Sequence, residues 1–351
     1  MENKVKFGLK VPFYPMELIM ETANYADIHG YDSLWSADHM VGISPTTWDS
    51  FSVWSLLSAF AVKTRNVLLG SSVTDACRMS PAVLSQIAMT IDNMSGGRFV
   101  LGIGTGEGQN TLPYGVLCDH PVVRLREMIE IVKKLLSEDN VTYKGKCYSV
   151  QKASINPKPV GGKRPPIWIA SNSTRTMKMT GILGDGWLPM AIKYTPDTYG
   201  NGLEKIRSVA KTAGRDPDAI EPALFIHTAI SDDYDSARKV MEDAGRLMFL
   251  VWGPERFEEM GVGTDESFHS ERLIFDKPMA RRLAEVLPKL PVEPIHKYLV
   301  FGTPDNCIEG FERYAKAGVK HFVVILFAPP AQYKKSLQLF TEKVLAHFKG
   351  S

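Results

Sequence analysis

Long apolar runs and an excess of one charge are both missing from this sequence of 351 residues. No apolar stretch approaches the roughly 18 residues that span a membrane, and the first residues, MENKVKFGLK, lack the long apolar core of a secretory signal. The 41 basic and 39 acidic residues leave a formal net charge of +2, which favours neither nucleic acid nor a membrane surface as a partner. We therefore expect a cytoplasmic protein that binds a small molecule.

Cysteine is scarce as well. The four cysteines lie far apart and form no CxxC pair. Such spacing is typical of reduced thiols in a cytoplasmic protein, and it predicts neither a disulfide framework nor a metal site. These residues are Cys77, Cys118, Cys147 and Cys307.

A dinucleotide-binding fingerprint is also absent. The glycine run from 102 to 108 lacks the third glycine at the offset that a nicotinamide-binding Rossmann unit requires. This disfavours a Rossmann fold with a nicotinamide cofactor.

Short β-rich runs alternate with helical patterns along the whole chain, which predicts βαβ units and a parallel sheet. Eight strands without any sign of reversed strand order favour an α/β fold of the (β/α)8 TIM barrel type, with insertions. The predicted strands are Val5–Lys10, Ser33–Ser36, Val67–Ser72, Phe99–Ile103, Ile167–Ala170, Gly186–Pro189, Ala223–Thr228 and His321–Phe327.

Two segments interrupt the alternation within what we expect to be a single domain of residues 1–351. Residues 138–165 predict a small hairpin followed by a linker rich in proline and glycine, and residues 251–298 predict an insertion before the last βα unit. Elsewhere the pattern is regular: Thr303 is suited to cap a helix that begins at Pro304, and Gly318 is suited to end it.

TIM barrel enzymes carry their sites at the carboxyl ends of the strands, so the residues that follow each strand are candidates. Asp38 and His39 follow the second strand. An imidazole near neutrality suits proton exchange with an alcohol or a carbonyl, and a neighbouring carboxylate can orient it. The alternative is a helix-capping aspartate and a surface histidine.

Glu107 lies in a glycine run after the fourth strand. The glycines at 102, 104, 106 and 108 leave room for a planar ligand and let the carboxylate point into a cavity. A turn whose acid faces water is the alternative.

The segment from Ser171 to Thr174 places small polar residues at the start of a helix. Free backbone N–H groups and the helix dipole favour an anion such as phosphate there. A simple Ser/Thr cap is the alternative.

Several segments in one order resemble the bacterial luciferase-like superfamily, and within it the branch that uses the deazaflavin coenzyme F420. They include FGLKVP, YDSLWSADHM, LLGSSVTDACRMSPAVLSQ, SGGRFVLGIGTGEGQNTLPYGV and FGTPDNCIEGFERYAKAGV. The motifs are similar to those of phthiodiolone ketoreductases, F420-dependent glucose-6-phosphate dehydrogenases and methylenetetrahydromethanopterin reductases.

The resemblance implies an oxidoreductase that passes a hydride between a substrate carbon and C5 of the deazaflavin. It implies that His39 acts as the base and Glu107 as the acid. It also implies a cis peptide bond without proline between Ser72 and Val73, behind the ring, and a homodimer as the assembly.

Cofactor and substrate contacts follow from the same resemblance. Trp48 and Lys193 are the expected substrate contacts, and the helix start at Asn172–Thr174 is expected to hold the phosphate of the cofactor tail. The full set of expected cofactor contacts is Asp38, Ser72, Val73, Thr74, Gly104, Thr105, Gly106, Ala170, Ser171, Asn172, Ser173 and Thr174.

Two other activities within the superfamily stay open. One is a methylenetetrahydromethanopterin reductase-like enzyme acting on a pterin carrier, although Lys10 and Glu107 stand where those enzymes have a glutamate and an aspartate. The other is a monooxygenase that uses FMN in place of F420. A barrel that binds the cofactor without catalysis is a third possibility.

Overall fold

Parallel strands form the centre of the protein in the computed structural model, which describes residues 5–42 and 49–350. The strands in these ranges are β1 (Lys6–Lys10), β2 (Ser33–Ser36), β3 (Leu68–Ser71), β4 (Thr74–Asp75), β5 (Phe99–Gly104), β6 (Val141–Lys144), β7 (Ser149–Ala153), β8 (Ile167–Ile169), β9 (Gly186–Trp187), β10 (Glu221–Ile230), β11 (Val300–Gly302) and β12 (His321–Leu326).

The sheet closes on itself. Among the described residues, eight strands pair in the order β1, β2, β3, β5, β8, β9, β10 and β12, and β12 pairs with β1. All of these pairs are parallel, and the link from β9 to β10 closes the ring at Gly186 and Glu221. The predicted α/β fold of the (β/α)8 TIM barrel type is therefore confirmed.

The eight predicted strands are the barrel strands, with shifted ends. The strand predicted at Ala223–Thr228 runs from Glu221 to Ile230, because it pairs with three neighbours along its length. Strand β11 was not predicted, because its three residues directly follow the segment interpreted as an insertion. It lies beside the end of β10, with Thr228 opposite Val300.

Helices surround the barrel. The helix that starts at Pro304 is capped by Thr303, as predicted, and Gly318 follows its end with a φ of +106°. The α-helices of the described residues are α1 (Met16–Ile28), α2 (Val53–Lys63), α3 (Pro81–Ser95), α4 (Gly108–Thr111), α5 (Pro121–Ser137), α6 (Thr174–Leu183), α7 (Pro196–Thr212), α8 (Tyr234–Trp252), α9 (Glu255–Glu258), α10 (Lys277–Val286), α11 (Glu293–Tyr298), α12 (Pro304–Lys316), α13 (Tyr333–Leu339) and α14 (Ala346–Lys349), with a π-helical stretch at Phe340–Leu345.

Two indole rings fill the inside of the barrel. Trp35 on β2 and Trp168 on β8 are buried, with ring centroids 5.1 Å apart. A Cβ atom at Gly70 would lie 2.1 Å from the Trp35 ring, and one at Gly186 would lie 2.5 Å from Trp168. Glycine at these two positions therefore makes room for the rings, and the interior is a packed core that can support a site only at its mouth.

The irregular segments hold small structures of their own. Strands β6 and β7 form an antiparallel hairpin within 138–165, and helices α9, α10 and α11 lie within 251–298. None of the helices in the described part of the chain combines the length and apolarity that crossing a membrane needs.

The prediction of reduced thiols is wrong for one pair of cysteines. Cys77 and Cys118 form a disulfide, with their Cα atoms 5.4 Å apart. They are 41 positions apart, and both sulfur atoms lie within 3.8 Å of the carbonyl oxygen of Thr105. Only the meeting of these loops in space makes the pair, and no spacing rule in the sequence reveals it. Cys147 and Cys307 are free.

The hairpin is held to α5 by one buried carboxylate. Glu127 is 1% exposed and accepts hydrogen bonds at 2.7, 2.8 and 2.9 Å from the backbone N–H groups of Lys146, Cys147 and Tyr148. Burial raises the pKa of Glu127, whereas the hydrogen bonds from these three N–H groups lower it. The lowering is the larger effect, so the pKa of Glu127 lies below its ordinary value. The stabilisation is thus present above the ordinary pKa and is lost as the pH falls through the lowered one.

We expect Glu127→Gln to lower the free energy of unfolding by about 2–3 kcal/mol, since an amide group cannot accept from all three donors. Urea unfolding at neutral pH measures this loss, and hydrogen exchange at the three amides should quicken. Glu138→Gln, on an exposed side chain at the end of the same helix, is the matched control. Equal stability of the Glu127 and Glu138 variants would contradict the anchoring role.

Candidate functional site

Polar side chains gather where the barrel strands end. Because the carboxyl ends of parallel strands share one face, the residues after β1, β2, β3 and β5 meet at the mouth of the barrel. The structure brings together Asp38 and His39 from the loop after β2, Thr74 from β4 and Glu107 from the loop after β5.

Asp38 is part of a buried ion-pair network. Its carboxylate accepts from the Thr74 hydroxyl at 2.6 Å and pairs with the Arg78 guanidinium at 2.6 Å. Arg78 also pairs with Asp75, which accepts from the backbone N–H groups of Cys77 and Arg78 at 2.8 Å. Burial raises the pKa of Asp38, against Arg78 and Thr74, which lower it. The network fixes the loop after β3 against the end of β2.

His39 lies beside this network and faces Glu107. Its Nδ1 is 2.8 Å from Nε2 of Gln109, and its Nε2 is 4.0 Å from Oε2 of Glu107. The Phe13 ring meets the imidazole edge to face, with centroids 5.6 Å apart. Burial lowers the pKa of His39 below 6.5, although the Glu107 carboxylate raises it. The ring is therefore held neutral at physiological pH.

Both oxygens of the Glu107 carboxylate have donors. Oε2 accepts from Gln109 Nε2 at 2.8 Å, and Oε1 accepts from the indole N–H of Trp252 at 2.8 Å. Trp252 ends helix α8, so the segment that follows β10 reaches over to the loop after β5. The side chain of Glu107 is only 25% exposed. It is not the solvent-facing acid of a surface turn.

A lysine lies on the inner side of the same mouth. Lys10, the last residue of β1, is 5% exposed, and its Nζ lies 3.4 Å from the centroid of the Phe13 ring. Burial lowers the pKa of Lys10 from 10.5 to about 7. His227 on β10 is also buried, and burial lowers its pKa to about 3, with a further lowering by Lys10.

Small residues form the wall between β3 and β8. Gly104 separates Val73 from Ala170: a Cβ there would lie 3.1 Å from Val73 Cγ2 and 3.6 Å from Ala170 Cβ. The peptide bond between Ser72 and Val73 is cis, as the family resemblance implied. The buried hydroxyl of Ser72 has no hydrogen-bond partner among the described residues.

The remaining predicted residues lie around this wall. Gly106 has a φ of +97°, which suits glycine, and Thr105 precedes it beside the disulfide. Ser171 is buried and bonded to Thr180, whereas residues 172–174 are exposed at the start of α6. Ser173 caps that helix through a capping box with Thr176.

The two predicted substrate contacts have different outcomes. Lys193 pairs with Glu255 of the 251–298 segment, with Nζ 2.8 Å from Oε1. A substrate anion would have to compete with that carboxylate. Trp48 lies outside the described residues, so its placement stays a prediction.

Reasoning from the sequence missed three members of the cluster: Gln109, Arg78 and Trp252. Gln109 stands two positions after Glu107 in the same glycine-rich loop, and that closeness was the one available signal. Arg78 lies between a cysteine and a methionine in a segment without catalytic spacing. Trp252 is 145 positions from Glu107, and only the fold joins them.

Comparisons with known proteins find relatives along most of this chain. The phthiodiolone/phenolphthiodiolone dimycocerosates ketoreductase of Mycobacterium bovis is 29% identical over 327 residues, covering 86% of this chain and 85% of that protein. The 5,10-methylenetetrahydromethanopterin reductase of Archaeoglobus fulgidus is 29% identical over 353 residues, covering 98% of this chain and 100% of that protein.

A solved structure has the same fold. An F420-dependent secondary alcohol dehydrogenase, in complex with an F420–acetone adduct, superposes with a TM-score of 0.81 at 24% identity, covering 98% of this chain and 99% of that one. The profile of the luciferase-like monooxygenase family matches residues 13–321, which is most of the barrel. The chain therefore belongs to the luciferase-like monooxygenase family.

Proposed function

We propose that this protein is a coenzyme F420-dependent oxidoreductase that transfers a hydride between the deazaflavin and a carbonyl or alcohol substrate. The observation that carries the proposal is the hydrogen-bonded cluster of His39, Gln109 and Glu107 at the barrel mouth, with side chains no more than about a quarter exposed. A ketoreductase among the relatives and an alcohol dehydrogenase of the same fold support this substrate class.

The residues at the mouth fit a planar cofactor. Gly104 leaves a gap between Val73 and Ala170 that a side chain would fill, and the Ser72 hydroxyl has an unused hydrogen-bonding capacity. The exposed start of α6 at residues 172–174 suits the phosphate of the cofactor tail through its backbone N–H groups, apart from that of Ser173, which donates to Thr176. When bound, the deazaflavin supplies C5 as the donor or acceptor of the hydride.

The protein's own contribution is positioning and proton handling. His39 lies beside the acid and contacts the substrate oxygen, whose proton it holds or releases as the hydride moves. Glu107 is fixed from both sides by Gln109 and Trp252, so its charge faces the ring of His39. Trp252 closes the mouth from the side of β10 and helps to exclude water.

Several finer features belong to the same proposal. The chain acts as one domain of residues 1–351, with 138–165 and 251–298 as insertions. It acts as a cytoplasmic homodimer, the assembly that the family resemblance implies. Lys193 and Trp48 are the proposed substrate contacts, with Lys193 released from Glu255 when an anionic substrate binds. Light scattering of the purified protein measures the assembly.

FMN is the alternative cofactor, because the family includes monooxygenases. A methylenetetrahydromethanopterin reductase activity is the alternative reaction, since a reductase of that kind is 29% identical to this chain over nearly its full length. Both alternatives use the same barrel mouth. The identity of the bound cofactor tests the FMN alternative, and the identity of the substrate tests the reductase alternative.

A paired titration of the purified protein with F420 and with FMN, followed by tryptophan fluorescence, tests the proposal. We expect saturable binding of F420 and weak binding of FMN, followed by F420-linked turnover in a screen of ketones, alcohols and a methylene-pterin. Preference for FMN with oxygen-dependent turnover would overturn the proposal.

Gly104→Val checks where the cofactor binds. The valine would fill the gap between Val73 and Ala170, and we expect F420 to bind at least about tenfold more weakly, which is about 1.4 kcal/mol. Gly263→Ala, at a position with open space around it, is the matched control. Unchanged affinity in the Gly104 variant would move the cofactor away from this wall.

A further inference from the structure

We infer that Gln109 is a positioning residue that holds His39 in the tautomer with its proton on Nε2. The inference rests on the proposed function only for its catalytic meaning, since the hydrogen-bond geometry exists without any cofactor. Nothing in the resemblance assigns a role to this glutamine.

The orientation of the Gln109 amide follows from its neighbours. The same nitrogen, Nε2, lies 2.8 Å from Oε2 of Glu107 and 2.8 Å from Nδ1 of His39. An ionised carboxylate only accepts hydrogen bonds, so the amide must turn its NH₂ group toward Glu107. The second hydrogen of that group then points to His39, and Nδ1 must present a lone pair. The neutral ring consequently carries its proton on Nε2.

The reversed orientation of the Gln109 amide is less favourable. Oε1 of Gln109 is buried and has no hydrogen-bond partner among the described residues, and the whole side chain is 1% exposed. Turning the amide would place that oxygen against the carboxylate of Glu107, which is repulsive. Glu107 and His39 therefore set the orientation of the Gln109 amide, although this orientation leaves Oε1 of Gln109 without a hydrogen-bond partner.

The backbone around Gln109 is also fixed. Oδ1 of Asn110 accepts from the backbone N–H of Met40 at 2.9 Å, which ties α4 to the loop that carries His39. Gly108 donates its N–H to the carbonyl of Ser270 at 2.7 Å. These bonds hold the amide at a constant distance from the imidazole.

The catalytic meaning concerns the direction of hydrogen bonding. With its proton on Nε2, neutral His39 donates a hydrogen bond to a substrate carbonyl oxygen and polarises it for hydride attack. Transfer of a proton to that oxygen needs the imidazolium form, which carries a hydrogen on Nδ1 as well. To accept the proton of an alcohol, Nε2 needs a lone pair, and Nδ1 must then carry the ring proton. Gln109 must turn its oxygen toward Nδ1 for that, and the turn is compatible with Glu107 only when Glu107 is protonated. Gln109 thus links the protonation of His39 to that of Glu107.

Nitrogen NMR of protein labelled with ¹⁵N-histidine, without cofactor or substrate, tests the inference. The chain has 8 histidines, and the spectrum of a His39→Asn variant identifies the His39 signals by their loss. We expect an unprotonated, pyridine-type Nδ1 and a protonated, pyrrole-type Nε2 above neutral pH. A protonated Nδ1 in the unaltered protein would overturn the inference.

Two variants separate positioning from general packing. Gln109→Leu should replace the single tautomer with a mixture and raise the pKa of His39, because imidazolium no longer meets an NH₂ group at Nδ1. Gln109→Glu should move the proton to Nδ1, and it keeps the test available if the leucine variant does not fold. Trp252→Phe, which removes the other donor to Glu107 and leaves the bridge intact, should preserve the tautomer.

Other charges also face the His39 ring and stay constant in these variants. They are Glu107, which raises the pKa of His39, and Lys10 and Arg78, which lower it, with Asp38 raising it. An unchanged tautomer in both Gln109 variants would contradict the inference. A protein that fails to bind F420 yet shows the expected tautomer would overturn the proposed function and leave the role of Gln109 standing.

Discussion

Replacing His39 with asparagine, or Glu107 with glutamine, is expected to lower kcat/KM for F420-linked turnover by about 10²–10⁴-fold, the usual contribution of a general acid or base. Each replacement removes the exchangeable proton or the charge and keeps the approximate size of the side chain. The affinity for F420 should change much less than the rate. Stopped-flow absorbance of the deazaflavin measures the hydride step, and the titration described above measures binding.

His296→Asn supplies the matched control. His296 also pairs with a glutamate, with Nε2 2.8 Å from Oε1 of Glu242, but it lies on α11 and its side chain is 38% exposed. Its loss should leave turnover unchanged. Full activity in a variant that lacks both the His39 and the Glu107 side chains would defeat the proposed roles of these two residues.

Replacing Lys10 with methionine is expected to stabilise the protein at and below neutral pH. Burial lowers the pKa of Lys10 from 10.5 to about 7, so the unfolded chain binds more protons than the folded chain between these two values. Stability therefore rises with pH across that range, and the full penalty is present below pH 7. Each pKa unit corresponds to about 1.4 kcal/mol, which makes the penalty on the order of 5 kcal/mol.

Urea unfolding at pH values below 7 and near 10 checks this prediction. The gain from Lys10→Met should be largest at the lower pH and should shrink toward the higher one. Lys6→Met is the control, because Lys6 lies on the same strand, is 45% exposed and pairs with Glu221. A Lys10 variant that is no more stable than the unaltered protein below pH 7 would contradict the prediction.

Lys10→Met should also lower the activity. Functional sites commonly retain residues that destabilise the protein, and the buried amine of Lys10 at the barrel mouth is such a residue. Among the described residues the Lys10 amine forms no hydrogen bond or ion pair, and its Nζ lies over the face of the Phe13 ring. A gain in stability together with a loss of turnover would place Lys10 in the site. An increase in both stability and turnover would show that Lys10 has no role in the site.

The sequence by itself determined the strands and the barrel, because each element carries a local signal. Short β-rich runs between helical patterns marked the eight barrel strands, and a threonine, a proline and a glycine marked the helix from Pro304 to Lys316. His39 and Glu107 became candidate site residues because they follow strands, and TIM barrel sites lie at the carboxyl ends of the strands. Strand β11, which is as short as β8, was not predicted, because it directly follows the segment interpreted as an insertion.

Only the tertiary structure decided how these residues are partnered. Gln109 bridges two side chains, Trp252 reaches Glu107 across 145 positions, and Cys77 meets Cys118 across 41. In the sequence Lys10 is an ordinary strand residue, and only the closed barrel shows that its side chain is buried. Contacts, burial and the pKa values that follow from them depend on distances between segments far apart in the chain, and local periodicity holds no information about those distances.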